Sequence, residues 1–582
     1  MMKLNKSTIG FSAFYAYILL FIMLSGNHCT AQETKENSIT PIYVNQIGYL
    51  PADQKIALVS ASTGISFELI SQKLKKPILR SMLQTAEPGD AATGSDLWQA
   101  DFSIITATGE YTLSIPGIGQ SYPFQIQDNL YKELINKTMA VFYLHRSNAA
   151  IGQAYAGKWT REAIHSTDGL IYSATGKTEI PHNATGGWFD GSDYGKYTVS
   201  GIYSAGILLM LYEQFPHQFH DGTLLIPEKA NGIPDILDEI RWELDFILRM
   251  QNQNGAIHHK LTSLDPPKPE IPNKNDPPRY VFPTSTAATA GACALFAKAS
   301  RFYSVHDATY ATQCKNSALA AWKYLETHPS DNGFVNPADV RTKTFKDADD
   351  SDERFWAAIE LYITTGEPVY QNTALSIENK RIPLISASGY WGNVMPLAVG
   401  SILKATPAMF DAKLRQTIDK DLLSLSNIIS ETVNKDGFKL SLKEGDFAWG
   451  SNGALLENAL VLCLADINKP NKVYRQAAMD QLHSVLGRNP LSMCYITGFG
   501  KRSPKHPYHL ISMADKVEES VPGLIVGGPN QFRGDSALKK VFTKTAAPAT
   551  IYLDSAESYS SNETDLTWNA VLAFVASYIS SK

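Results

Sequence analysis

Between residues 42 and 126 polar and apolar side chains alternate, and beyond residue 131 the apolar spacing becomes helical. YVNQIGYL, KIALVSA, ISFELIS, LWQADFSI, GEYTLSIPG and SYPFQIQ each put side chains on two opposite faces, with Gly, Pro, Ser and Asp between them. Several short alternating runs with such punctuation predict an all-β sandwich over residues 40–128. From Tyr131 onward the pattern predicts an all-α domain over 131–582. ILDEIRWELDFILRMQ places Leu237, Ile240, Leu244 and Ile247 on one stripe, and STAATAGACALFAKASRFYS, DERFWAAIELYITTG and GALLENALVLCLADI behave alike. About eleven or twelve such helices are expected from this spacing. Their connections are long, as in LTSLDPPKPEIPNKNDPPRY and the stretch from Arg488 to Asn530. Long ordered loops on a helical scaffold are where sites are usually built.

The N-terminus changes the compartment. Lys3 and Lys6 precede an apolar run from Ile9 to Leu24, and Cys29-Thr30-Ala31 stands before Gln32. This reads as a signal peptide over residues 1–31, so the mature chain is expected to be secreted or periplasmic. Lipid anchoring would use Cys29, but Asn27 and His28 stand where small residues are expected before an acylated cysteine. No later run reaches the roughly eighteen apolar residues of a membrane span. The chain has 582 residues, 44% of them hydrophobic, enough for a large core and more than one domain. A net charge of −5 without a long basic run gives no footprint for nucleic acid. Cys293, Cys314, Cys463 and Cys494 read as free buried thiols, since no disulfide framework is evident. A monomer is expected.

One stretch carries candidate chemistry. GGWFDGSDYGKY, residues 186–197, sets Asp190 and Asp193 three apart among Trp188, Phe189, Tyr194 and Tyr197. Asp and Gly favour tight turns for purely local reasons. Carboxylates among aromatics also suit a sugar-cleaving site, with charge to move protons and flat faces to stack on pyranose rings. The stretch resembles the GGWxDAGDYGKY motif of family 9 glycoside hydrolases, the inverting cellulases and their relatives. NGIPDILDEIRWELDFILRMQ, WGSN, LGRNP, ITGFG, PGLIVGGPN and YLDSAESYSSNETDLTWNA fall in that family's order, and IYVNQIGYLP, GEYTLSIPG and SYPFQI resemble the immunoglobulin-like module of one of its branches.

The resemblance implies an immunoglobulin-like sandwich followed by an (α/α)6 barrel, and it assigns roles. Asp193 matches the general base, Asp190 the aspartate that helps hold the water, and Glu563 the general acid. An inverting glycosidase needs this pair because one carboxylate deprotonates water while a carboxylic acid on the opposite face protonates the leaving oxygen. On its own Glu563 would read as a first-turn residue favoured by the helix dipole. Trp449 and Tyr559 match positions that line the family's cleft, whereas Trp188 and Trp356 read as structural.

Three departures stand out. The family's Pro-His-x-Arg signature is Pro507-Tyr508-His509-Leu510 here, so its sugar-contacting His and Arg are replaced. Tyr508 and His509 become the candidate substrate contacts there, with His506 a further candidate. Leucine cannot imitate a bidentate guanidinium, so weaker recognition of plain glucose is expected, and Tyr508→His with Leu510→Arg is expected to raise activity on cello-oligomers. Asp565 stands where the family has a small residue, and its plain reading is a carboxylate starting a helix. The positions at which relatives hold zinc are Ser147, Ile164, His165 and Phe189, one ligand of four, so no zinc is expected. KDADDSDE, residues 346–353, reads either as an oxygen-rich calcium loop or as an acidic surface loop capping a helix. No cofactor is required. The expected activity is inverting hydrolysis of β-1,4-glycosidic bonds in glucans. The alternatives are an exo-acting β-glycosidase such as a glucosaminidase on chitosan-type oligomers, where Asp565 could meet an amino sugar, and a carbohydrate-binding protein with little turnover.

Overall fold

Alternation in the N-terminal text becomes two packed sheets. The computed structural model describes residues 41–60, 65–85, 97–165, 168–173, 180–272, 276–378 and 391–581; the leader and Cys29 lie outside them. The strands are β1 (Ile42–Tyr43), β2 (Gly48–Tyr49), β3 (Ile56–Ser60), β4 (Ser66–Ser71), β5 (Lys76–Met82), β6 (Gln84–Thr85), β7 (Leu97–Asp101), β8 (Gly109–Ile115), β9 (Gly119–Gln120) and β10 (Phe124–Ile126). One sheet runs β1-β3-β7-β6. The other runs β2-β10-β8-β4-β5, with β9 on β8. In β4 the alternation is literal: Phe67, Leu69 and Ser71 are buried and the residues between them are not. Val59, Phe67, Leu69, Phe102, Leu113 and Phe124 form the core between the sheets. β5 was not among the expected strands. It is mostly exposed at the edge of its sheet and carries Pro77, with only Ile78 and Leu79 packing in part against the core, so little alternation can be read; β6 and β9, two exposed residues each, were not expected either.

The sheets are fastened to the helices by specific contacts. Tyr43 meets Phe438 edge-on at 5.0 Å. Asn45 Nδ2 lies 2.9 Å from His483 Nδ1, and Gln46 Nε2 donates to the Ser492 carbonyl at 2.7 Å. The helices are α1 (Lys132–Leu144), α2 (Thr198–Gln214), α3 (Asp235–Arg249), α4 (Thr286–Tyr303), α5 (Ala308–Thr327), α6 (Ser351–Thr365), α7 (Pro368–Glu378), α8 (Met395–Lys404), α9 (Ala412–Lys435), α10 (Ser451–Asn468), α11 (Lys472–Val485) and α12 (Leu566–Ser580), with shorter turns between them.

Burial sorts these helices into two kinds. In α12 every residue from Leu566 to Ile579 is buried, and α2 and α4 are nearly so. Such all-round apolar helices belong inside. α9 instead buries one stripe, Leu414, Ile418, Leu422, Ser426, Ile429 and Val433, and leaves its other faces wet. The packing follows. α2 packs on α4, α4 on α6, α6 on α8, α8 on α10, α10 on α12, and α12 returns to α2. Outside that cycle α3 lies on α2, α5 on α4, α7 on α6, α9 and α11 on α10, and α1 on α12. The long loops gather the candidate site residues beside α2 and α12. Cys293, Cys314, Cys463 and Cys494 are free and buried.

Candidate active site

The aspartate pair sits on a turn that leads into a strand and then a helix. Residues 186–195 are irregular, and β11 (Leu170–Ile171) precedes them. Lys196–Tyr197, β12, pairs antiparallel with Lys260–Thr262 and passes directly into α2. Gly191 has φ +77°, and a Cβ there would lie 2.7 Å from the Asp565 Cα. A side chain would therefore push the turn away from the segment that carries the acid. Asp190 is buried, its Oδ1 accepts from Ser200 Oγ at 2.6 Å, and its Oδ2 has no partner among the described residues. Asp193 accepts from the Gly195 N–H at 2.5 Å and from the Tyr197 hydroxyl at 3.3 Å. It borders a cavity of about 420 Å³ whose other walls include Tyr194, Tyr280, Arg279 and the proline-rich loop around Pro266 and Pro277.

Glu563 arrives from the far end of the chain. Tyr508 N–H donates to the Asn562 carbonyl and Gly527 N–H to the Glu563 carbonyl, both at 2.8 Å, so the segment is held like a short strand between two loops. Thr564 Oγ1 donates to the Gly191 carbonyl at 2.8 Å, and Ser192 Oγ donates to Glu563 Oε1 at 2.5 Å. These two bonds join the acid segment to the aspartate turn. Asp565 caps α12, accepting from the Thr567 N–H at 2.7 Å and the Thr567 hydroxyl at 2.6 Å. Both bonds fall on Asp565 Oδ1.

Burial and charge act together on these acids. Burial raises the pKa of Glu563, and Lys343 opposes that rise. Burial also lifts Asp190 well above the usual carboxylate range, helped by the negative charge of Asp565. Lys343 Nζ donates to Glu563 Oε1 at 2.6 Å and lies 5.0 Å from the centre of the Trp449 ring. Sequence reasoning missed Lys343 and Ser192. Ser192 was visible, because the family motif has glycine at that position. Lys343 had no local signal: RTKTFKD is an ordinary loop until folding brings it across 220 positions to Glu563.

Three aromatics surround the acid. Trp449 is 50% and Tyr559 45% exposed, and half-buried Tyr508 sits 6.2 Å from Tyr559 between ring centres. Tyr508 is also backbone-paired with Glu563. His506 is exposed, with its N–H donating to Asp554 at 2.9 Å. His509 and Leu510 depart from expectation. His509 is buried, its Nε2 is 3.0 Å from His145 Nε2, and its Nδ1 accepts from Ser512. His145 Nδ1 donates to the Val141 carbonyl at 2.7 Å, which leaves its Nε2 to accept the His509 proton. Burial lowers both imidazole pKa values, keeping the pair neutral. His509 thus ties the loop to α1 and offers no surface to a sugar. Leu510 is buried with Ile164, Phe189, Tyr194 and Ile511. Leu510→Arg would place a guanidinium in that cluster, so the double replacement is now expected to cost about 2 kcal/mol or more of stability without improving activity on cello-oligomers. A melting curve together with kcat/KM on cellotetraose checks this.

Further out, Trp188 and Trp356 are buried and structural. Their indole N–H groups donate to Glu239 and Glu360, each at 2.9 Å. Of the positions where relatives hold zinc, His165 alone carries a ligand group. In the acidic run Glu353 lies within hydrogen-bonding reach of Asp347 and Asp352. Burial raises all three acids, Asp347 to about 7. Among the described residues no three His, Cys, Asp or Glu side chains are arranged as a ready metal site.

Comparison with known proteins agrees with this geometry. Residues 131–576 match Glycosyl hydrolase family 9, and residues 37–120 match the cellulase N-terminal Ig-like domain. The chain is 33% identical to a xyloglucan-specific endo-beta-1,4-glucanase of Bacteroides ovatus over 96% of this chain and 97% of that protein. It is 31% identical to a cellodextrinase of Butyrivibrio fibrisolvens, covering 92% of this chain and 99% of that one. A metagenome-derived family 9 endoglucanase of known structure superposes with a TM-score of 0.86 at 32% identity, covering 93% of this chain and 99% of that chain. The protein therefore belongs to glycosyl hydrolase family 9, as an inverting glycoside hydrolase of β-1,4-glucan bonds that carries a cellulase-type Ig-like domain at its N-terminus.

Proposed function

We propose that Asp193 is the general base, Asp190 the residue that orients the attacking water, and Glu563 the general acid. The joining of the two carboxylate segments by Thr564 and Ser192 carries this reading. Asp193 takes the proton of water while the Gly195 N–H and Tyr197 hydroxyl hold its oxygens in place. Glu563, whose pKa burial raises against the opposing charge of Lys343, gives its proton to the departing glycosidic oxygen, and attack from the opposite face inverts the anomeric carbon. Asp190 does not receive the proton, so Asp190→Asn is expected to reduce kcat less than Asp193→Asn. Equal losses, measured side by side on a soluble glucan, would reverse the assignment of the two aspartates. The cycle of α2, α4, α6, α8, α10 and α12, backed by a second layer of helices, supports an (α/α)6 barrel.

The substrate class we favour is soluble, substituted or short β-1,4-glucan rather than crystalline cellulose. The cavity beside Asp193 supports it. At about 420 Å³ it lies in the range of small-ligand sites, and Pro266, Pro267, Pro272, Pro277 and Pro278 form part of its wall. Two of the relatives are named for xyloglucan and cellodextrin. Product analysis on crystalline cellulose, mixed-linkage glucan, xyloglucan, cello-oligomers and chitosan oligomers tests this. Highest kcat/KM on crystalline cellulose would refute it.

We propose further that the enzyme is exported, acts as a monomer and holds no zinc, because Ser147, Ile164 and Phe189 provide no ligand. The ligand atoms of the acidic run are all oxygen, which suits calcium, and Asp347 Oδ2 and Glu353 Oε2 are buried without a donor among the described residues. A cation there would replace shared protons. Elemental analysis after dialysis is expected to find no stoichiometric zinc, and a chelator to lower the melting temperature until calcium is restored. A melting temperature indifferent to both would leave the run as an acidic cap.

A further inference from the structure

The general acid is gripped by two donors on one oxygen. Ser192 Oγ and Lys343 Nζ both reach Glu563 Oε1, at 2.5 and 2.6 Å, while Oε2, also buried, has no partner among the described residues. An oxygen that accepts two donors cannot also carry the carboxyl proton comfortably, so that proton belongs on Oε2. Lys343 is itself held over Trp449, with Phe345 on its other side at 5.8 Å.

We propose that Lys343 is a positioning residue for Glu563: with Ser192 it fixes the carboxyl so that Oε2 presents the proton, and its charge sets the upper pH limit of catalysis. The inference rests on Glu563 being the general acid. Its physical content is a balance. Burial alone favours the neutral acid and would make it a reluctant donor, whereas a cation 2.6 Å away stabilises the carboxylate that forms as the proton leaves. The charged and titratable groups around Glu563 are Asp190 and Asp193 on the turn, Tyr197 on β12, Tyr508 and Tyr559 on the facing loops, and Asp565 next in the chain. All are acidic or neutral. Lys343 is the cation among them, and it strengthens the acid where the aspartates weaken it.

The sign follows directly. A general acid works only while protonated, so activity falls as pH rises through its pKa. Removing the lysine removes a charge that favours the carboxylate, the pKa rises, and the alkaline limb moves upward. In Lys343→Met the alkaline limb of the kcat/KM profile is expected to shift up by about one pH unit or more, since an opposite charge at this range is worth about that much. At the wild-type optimum kcat should drop roughly tenfold, because a weaker acid transfers its proton less readily. Lys343→Arg should keep the limb near its wild-type position. Ser192→Gly should lower kcat with a smaller limb shift, because it removes a donor and no charge. Lys343→Gln repeats the test should the methionine variant be unstable. An unmoved limb in a folded Lys343 variant, or a shift in Ser192→Gly as large as in Lys343→Met, would overturn the proposal. Near-normal turnover in Glu563→Gln would instead show that the acid itself was misassigned.

Discussion

Asp193→Asn and Glu563→Gln are each expected to lower kcat on a soluble β-1,4-glucan by at least about 100-fold, the scale on which a positioned acid or base acts. The two losses have different chemical origins. An amide at position 193 keeps the shape and can still accept from the Gly195 N–H, but it has no basicity for the water proton. An amide at position 563 has no acidic proton for the leaving oxygen. Both replacements leave the surrounding hydrogen bonds largely in place, so melting temperatures should stay close to wild type while turnover collapses. A natural polysaccharide hydrolysed by either variant at near wild-type rate would show that the carboxylate in question is not the base or the acid. A substrate whose leaving group needs no protonation separates the two, since it should restore rate to Glu563→Gln and not to Asp193→Asn.

The second large effect concerns a residue that touches no sugar. Arg146→Met is expected to cost about 3–5 kcal/mol of stability, the cost of leaving a buried charge without its partner. Arg146 is buried, with Nη2 3.0 Å from Glu239 and Nη1 2.7 Å from Glu228, and its guanidinium lies near the Tyr143 and Trp242 rings. Glu239 also receives the Trp188 indole N–H, two residues before Asp190. Loss of Arg146 therefore abandons Glu239 in the interior and loosens the anchor of the catalytic turn. Denaturant unfolding of the purified variant measures the loss, and a change below about 1 kcal/mol, the range of an exposed ion pair, would show that the pair is not buried in effect. Glu239→Gln combined with Arg146→Met should recover part of the loss, because no unpaired charge then remains.

Much of this protein was legible in its sequence. The strands of the N-terminal domain, β5 and the short exposed β6 and β9 excepted, follow from alternation because each buries one face against the opposite sheet. The helices follow from a stripe or from uninterrupted apolar text because each must bury against a neighbour. The proposed catalytic carboxylates carry local signals: Asp190 and Asp193 lie within one turn, where local spacing carries the message, and the segment around Glu563 keeps its own recognisable text. The sequence also settled that Ser147, Ile164 and Phe189 bring no metal ligand to their positions, since residue type alone decides that.

Only the tertiary structure decided what lies across from what. His509 read as a substrate contact and is instead a neutral, buried partner of His145, a relation between residues 364 positions apart. Leu510 read as a lost sugar contact and packs in an apolar cluster that no neighbouring residue announces. Lys343 carried no signal at all, yet it donates to the acid. The physical reason is common to all three. Periodicity reports which face of an element is buried, and motifs report chemistry held within a turn, but a pairwise contact between distant loops depends on how the whole set of helices closes, and no single stretch of chain encodes it.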